Sequence, residues 1–195
     1  MLKIEDVVSN WEVYGMSDSI RASKYPMSVN VDALNDRITD RVRQLATCAA
    51  GSGHDQFLTG IVVQFDLTFS IKAWVEAERY HFLDFVSSQS TMHRIARMDV
   101  AKQCNEYVCD SVIQTVQDLC DRYNTEITAE NFFRLIYNVP VGFRLTARMT
   151  TNYRQLKTIY HQRKNHRLPE WRVFCEWIEA LPYSEFITGE RKENI

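Results

Sequence analysis

The chain has 195 residues, 45% of them hydrophobic and 25% charged, with a formal net charge of −2. That length suits one domain with a sizeable core. No basic surplus is present to neutralise nucleic-acid phosphates, and no apolar run approaches the roughly 20 residues of a membrane-spanning helix.

Residues 2–8 (LKIEDVV) read as a first strand, and Ser17 to Lys24 as a short helix closed by Tyr25-Pro26. After Asn30, Leu34, Ile38, Val42, Leu45 and Ala49 recur at helical spacing, and Gly51-Ser52-Gly53 reads as the stop of that helix. The triplet lacks the Gly-Lys-Ser/Thr continuation of a phosphate loop. The stretch IVVQFDLTFSI puts Ile61, Val63, Phe65, Leu67, Phe69 and Ile71 on one face of a long strand. A helix is predicted over KAWVEAERYHF. Ser87 to Thr91 then form a hydroxyl-rich cluster, which is either a loop or helix cap, or a set of donors for a phosphate. A mainly helical segment runs from Asp99 to Tyr123 with Val108, Val112, Val116 and Leu119 inward, and Thr128 suits the N-cap of AENFFRLIYN.

The last third alternates Phe143, Leu145, Ala147 and Met149 with Arg144, Thr146, Arg148 and Thr150, the period of a half-buried strand. A helix follows near Asn152, after the cap-like pair Thr150 and Thr151. Asn152, Leu156, Ile159, Tyr160 and Arg163 share one of its faces. Pro169 opens a further helix carrying Glu170, Trp171 and Arg172, with Glu170 and Arg172 expected as a structural pair. The expected fold is therefore α/β (α+β), with a mostly antiparallel sheet from segments near 2–8, 60–71 and 142–149, flanked by helices. It forms a single domain over residues 1–187, with a polar tail at 188–195.

The five cysteines are odd in number and include no C-x-x-C pair; most sit among apolar helical neighbours and read as small buried hydrophobes in a reducing compartment. The five histidines lack ligand spacing, and no metal site is predicted. The opening MLKIEDVVSNWEVYG lacks the basic start and apolar core of a signal peptide, which points to a cytoplasmic location.

The ordered residues of the C-terminal third resemble a block of flavin-dependent thymidylate synthases, L-P…T-x-N-x-R-x-L…L-R…A-Q-x-E-I-R. Here it reads Val139-Pro140, Thr150-Thr151-Asn152-Tyr153-Arg154-Gln155-Leu156, Arg163 and Glu170-Trp171-Arg172, with one residue deleted between Arg163 and Glu170. A second family block is partly present: His54 and Phe57, the run Ile61–Ile71, Tyr80-His81-Phe82, and Ser87 to His93. The resemblance spans about residues 50–185. Tyr80, Phe82, Met92 and Ile136 stand where the family carries arginines.

The resemblance implies a divergent enzyme of phage or bacterial type, a homotetramer with FAD sites at subunit interfaces. Its reaction would be reductive one-carbon transfer from methylenetetrahydrofolate to a deoxyuridine nucleotide, with NADPH as reductant. Arg163 matches the arginine that contacts the uracil ring, a catalytic and substrate-binding role in which a guanidinium stabilises charge pushed onto the ring carbonyls. Its bland alternative is a salt-bridge partner. Ser88, Gln89 and Ser90 match the substrate-phosphate loop, and His54, His81, Asn152 and His166 match the flavin side. Asn152 reads equally as a helix-start residue. Arg154 lies roughly 200° around the helix from Asn152 and reads as a tie between elements. No cysteine is assigned a catalytic role. The second reading is a catalytically silent relative, a nucleotide-binding or structural oligomer that kept the fold and lost the flavin.

Overall fold

A computed structural model describes residues 2–49 and 51–190. Strands β1 (Val8–Tyr14), β2 (Val62–Ser70), β3 (Asp84–Ser88) and β4 (Arg144–Asn152) form one antiparallel sheet in the order β1-β2-β4-β3. The helices are α1 (Ile4–Val7), α2 (Met16–Ala22), α3 (Asp40–Ala46), α4 (Ile71–Ala77), α5 (Thr91–Arg94), α6 (Val100–Gln103), α7 (Asp110–Thr125), α8 (Ala129–Ile136), α9 (Tyr153–Arg163), α10 (Pro169–Ala180) and α11 (Glu185–Thr188). The result is a single α+β domain, as the sequence predicts.

The two inner strands carry the fold. β2 and β4 pair without interruption from Val62 opposite Asn152 to Ser70 opposite Arg144. Their alternation puts Val63, Phe65, Leu67 and Phe69 with Ala147 and Met149 on one buried face. Helix α10 lies on that face and fills it with aromatic rings: Trp177 is 4.7 Å from Phe65 and Trp171 is 4.8 Å from Phe69, centroid to centroid. Each such ring contributes roughly 2–3 kcal/mol through burial alone. The opposite face is polar. There the Thr68 and Thr146 hydroxyls bond at 2.8 Å, and Arg148 reaches Asp66 at 3.4 Å. A second apolar cluster joins α6, α7 and α8 through Val100, Val116, Cys120, Leu135 and Phe143. Thr128 caps α8 as expected, accepting from the Asn131 N–H at 3.2 Å.

Several boundaries differ from the sequence reading. Residues 4–7 form one helical turn and the first strand begins only at Val8, because the Asp6 carboxylate accepts from the Lys3 N–H at 2.9 Å and closes the turn. The helix predicted from Asn30 is confined to Asp40–Ala46, where Thr39 supplies the N-cap, and it stops before the Gly51–Gly53 turn. Helix α4 ends at Ala77, well before Phe82. Ser87 and Ser88 belong to an edge strand rather than a loop. β4 runs on to Asn152, so Asn152 itself is the cap of α9 in place of Thr150 or Thr151. Of the expected polar tail, Thr188 closes α11 and residues 191–195 lie outside the described residues.

Candidate functional site

Helix α9 springs directly from the end of β4, so its first turn stands at the edge of the sheet. Asn152, in extended conformation, accepts from the Gln155 N–H through Oδ1 at 2.9 Å. Its Nδ2 group donates to no partner among the described residues. Beside it opens a cavity of about 770 Å3 lined by residues of α9 (Arg154, Gln155, Lys157, Thr158, His161, Gln162), by 47–49, Gly51, Asp55, Gln56 and Thr59, and by Phe82. The Thr151 hydroxyl donates to the Phe82 carbonyl at 2.6 Å and pins that residue at the rim.

The cavity wall is held by a buried charge cluster. Lys157 Nζ donates to the carbonyls of Ala46 (2.8 Å) and Cys48 (2.9 Å) and to Asp55 Oδ2 (3.0 Å). Asp55 Oδ1 also accepts from Arg154 Nε at 3.2 Å. The Lys157 side chain is 11% exposed and that of Asp55 5%, so this pair persists only because each charge is well partnered. The Arg154 side chain is 37% exposed. Arg154 thus ties elements as expected, and lines the cavity as well. Two cations and one carboxylate leave the wall net positive. His161, at the far rim, has its pKa lowered by burial and then by Lys164 and Lys157, which favours the neutral ring.

The far end of α9 is different. Arg163 donates through Nε to the Tyr80 hydroxyl (2.7 Å) and through Nη1 to Glu76 (2.7 Å), and its guanidinium lies 4.8 Å over the Trp171 ring. His166 Nδ1 accepts from the Leu168 N–H at 3.2 Å. Its Nε2 lies 3.1 Å from Glu76 and 2.9 Å from Arg163 Nη1. Burial lowers the His166 pKa; Glu76 opposes that shift and Arg163 adds to it. Arg163 also borders a second recess of about 350 Å3 with Arg79, Tyr80, His81 and Phe82. Phe82, Gln155, Thr158 and Gln162 line both spaces.

The predicted site residues are thus divided. Asn152 lines the cavity; Arg163 and His81 line the recess; His166 belongs to the Arg163 network. His54 sits exposed in the turn beside Ser52, its N–H 3.4 Å from the Ser52 hydroxyl. Ser88 pairs with Ala147, five positions along β4 from Asn152, or roughly 17 Å at about 3.4 Å per residue. Gln89 continues that pairing by exchanging bonds with the Thr146 backbone, both at 2.9 Å, and Ser90 stands at the start of α5 with no side-chain capping bond. Within one chain the Ser88–Ser90 segment does not reach the cavity. Arg172 bonds the carbonyls of His166 (2.7 Å) and Arg167 (2.9 Å), which replaces the expected pairing with Glu170. Asp55, Lys157 and Glu76 were missed. The polar stripe Arg154, Thr158, His161 at helical spacing was the available signal for the first cluster. Among the described residues, no group of three His, Cys, Asp or Glu could hold a metal ion, and no helix is long and apolar enough to cross a membrane.

A sheet of order β1-β2-β4-β3, with a helix leaving the end of β4 beside a cationic cavity, has the fold of flavin-dependent thymidylate synthases. The flavin-dependent thymidylate synthase ThyX from Helicobacter pylori, solved with FAD and dUMP, superimposes with a TM-score of 0.71 at 13% identity, covering 94% of this chain and 98% of that one. The UMP/dUMP methylase PolB from Streptomyces cacaoi, bound with 5-Br UMP, superimposes with a TM-score of 0.58 at 15% identity, covering 88% of each chain. No protein-family model and no curated protein matches the sequence.

Proposed function

We propose that the chain is a divergent flavin-dependent thymidylate synthase-like enzyme that holds FAD in the larger cavity and transfers a one-carbon unit to a deoxyuridine nucleotide. The observation that carries this reading is a coincidence of position. The sequence block that resembles the family supplies Asn152, Arg154 and Gln155, and these same residues line the 770 Å3 cavity. That volume lies within the range of cofactor sites. The donor set also suits the group: Asn152 Nδ2 for a ring carbonyl, Arg154 for a diphosphate, and open space beside Gly51, where a Cβ would meet nothing within 4 Å. The structural neighbours crystallised with FAD and dUMP support the same assignment.

When bound, the flavin would supply hydride chemistry and relay the one-carbon unit from methylenetetrahydrofolate, with NADPH as reductant. The chain's own residues bind and orient. Phe82 offers an aromatic wall, and Asn152 and Arg154 fix the cofactor. Arg163 retains Nη2, which has no partner among the described residues, to stabilise charge on the uracil carbonyls. Ser88, Gln89 and Ser90 lie too far along the sheet to serve the cavity of their own chain. They would act on a neighbouring copy, which fits a homotetramer with shared sites in the cytoplasm.

The test is the visible spectrum of the desalted protein before and after adding FAD and removing the excess. A flavin band near one equivalent per chain is expected, and no retained flavin in a folded protein overturns the reading. Arg163→Ala should abolish turnover while the protein stays folded. One observation favours the second reading, a silent nucleotide-binding relative: Glu76 neutralises Arg163, and Tyr80, Phe82, Met92 and Ile136 bring no cation to a phosphate. A folded protein that retains no flavin, whether it binds the nucleotide or only assembles, would select it.

A further inference from the structure

We propose that Gln162 is a specificity-determining residue whose amide nitrogen, aimed by Tyr80, donates to a ring carbonyl of an oxo-heterocycle lying against Phe82. The chemistry it reads is the cyclic dione shared by uracil nucleotides and the flavin ring. The inference rests on the flavin and nucleotide reading above.

The direction of the hydrogen bonds decides the orientation of the amide. A guanidinium only donates, so the Tyr80 oxygen is the acceptor of the 2.7 Å bond from Arg163 Nε. The phenol proton is then directed to Gln162 Oε1, 2.9 Å away. With Oε1 engaged, the amide turns its Nε2 group outward, and among the described residues Nε2 donates to nothing. Gln162 lines both the large cavity and the adjoining recess, as does Phe82, which is 61% exposed. The shared border therefore combines an aromatic surface with a fixed group that has two N–H donors and no acceptor. Such a pair accepts a flat ring with an outward carbonyl and opposes one with an amine there, since two donors would face each other. Tyr80 is central to this arrangement. Its hydroxyl stands between Arg163 Nε and Gln162 Oε1, so the donor offered at this point of the border is a neutral amide. Tyr80 is thus a positioning residue and Gln162 the contact.

The experiment titrates FAD, deoxyuridine monophosphate and deoxycytidine monophosphate into the full-length protein. The variants are Gln162→Leu, Gln162→Glu, Tyr80→Phe and the double variant Tyr80→Phe/Gln162→Leu. Gln162 is on the surface and Tyr80→Phe keeps the ring, so circular dichroism should match the wild type. Gln162→Leu is expected to weaken either FAD or deoxyuridine monophosphate about tenfold and to leave the other within about twofold. The ligand affected identifies the ring that is read. Tyr80→Phe should weaken the same ligand, and the double variant should bind it no worse than Gln162→Leu alone, because the two act through one contact. If the nucleotide is the ligand, Gln162→Glu should shrink its preference over deoxycytidine monophosphate. Unchanged binding of both ligands in Gln162→Leu, equal loss of both, or additive losses in the double variant would overturn the assignment while the proposed function stands. Wild-type protein that binds neither FAD nor deoxyuridine monophosphate overturns both.

Discussion

The two ends of α9 meet their surroundings in opposite ways. At its start, Arg154 and Lys157 share the Asp55 carboxylate beside an open cavity, and Arg154 remains over a third exposed. At its end, Arg163 is enclosed by Glu76, Tyr80, His166 and Trp171, with its side chain 12% exposed. A cation beside open space keeps donors for a ligand; one inside a closed network has its Nε and Nη1 committed to structure. Equal spacing along a helix therefore does not confer equal roles.

The sharpest blow to the closed end is Trp171→Ala, which removes the ring beneath Arg163 and empties the centre of the sheet-facing core. A loss of about 4 kcal/mol is expected by urea unfolding, and a loss under about 1 kcal/mol would show that this ring is not the centre of packing. At the open end, Asp55→Ala leaves Lys157 buried with two carbonyls and no counter-charge. We expect about 3 kcal/mol of destabilisation, largely recovered in Asp55→Ala/Lys157→Met. Failure of that recovery would mean that Asp55 acts otherwise than by neutralising Lys157.

Glu76→Gln should cost about 1–2 kcal/mol and loosen Arg163. Tighter deoxyuridine monophosphate binding in that variant would show that Glu76 holds the Arg163 charge back from the ligand. Asn152 can be dissected more gently. Asn152→Ser keeps a capping oxygen, so stability should stay within about 0.5 kcal/mol of wild type. A loss of FAD affinity in the same variant then reports the amide alone, and retained affinity would reduce Asn152 to a cap.

The smallest effect is expected from pH. His161 and His166 both have folded-state pKa values below the ordinary 6.5, burial being the first cause in each. The native state holds the neutral rings, so their contribution is full above about 6.5 and is lost as pH falls below it, when the unfolded chain takes up protons more readily. Denaturation midpoints between pH 7 and 5 should fall less steeply in His166→Gln than in the wild type. A wild type whose midpoint rises on acidification would contradict the sign.

The parts of the fold with one strong period were legible. β2 and β4 alternate cleanly because one face is buried and the other polar, and Pro169 marks the start of α10 as its fixed φ suits a first turn. β3 was not legible: every residue of it is exposed, so no burial pattern marks it, and only pairing with β4 makes it a strand. The helix after Asn30 was overextended because Leu34 and Ile38 repeat at the right spacing but lie outside any helix. The site was legible only as a set of segments. Asn152 lines the cavity, whereas the Asp55–Lys157 and Glu76–Arg163 pairs join residues 102 and 87 positions apart. Nothing local announces such partners, and they decide which cations remain available.

The sheet also differs between its middle and its margins. β2 and β4 pair in unbroken register, while β1 slips between Ser9 and Glu12 and β3 slips between Phe85 and Ser87. Asn10, at φ 49°, forms part of the first irregularity and is fastened to Asp66 at 2.7 Å. A straight outer strand presents a row of unpaired N–H and C=O groups on which another chain can grow a cross-β stack. A bulge bends the strand and breaks the regular spacing that such growth requires. With Phe85 and Val86 both about half exposed on β3, the irregular margins oppose growth of such a stack along this edge.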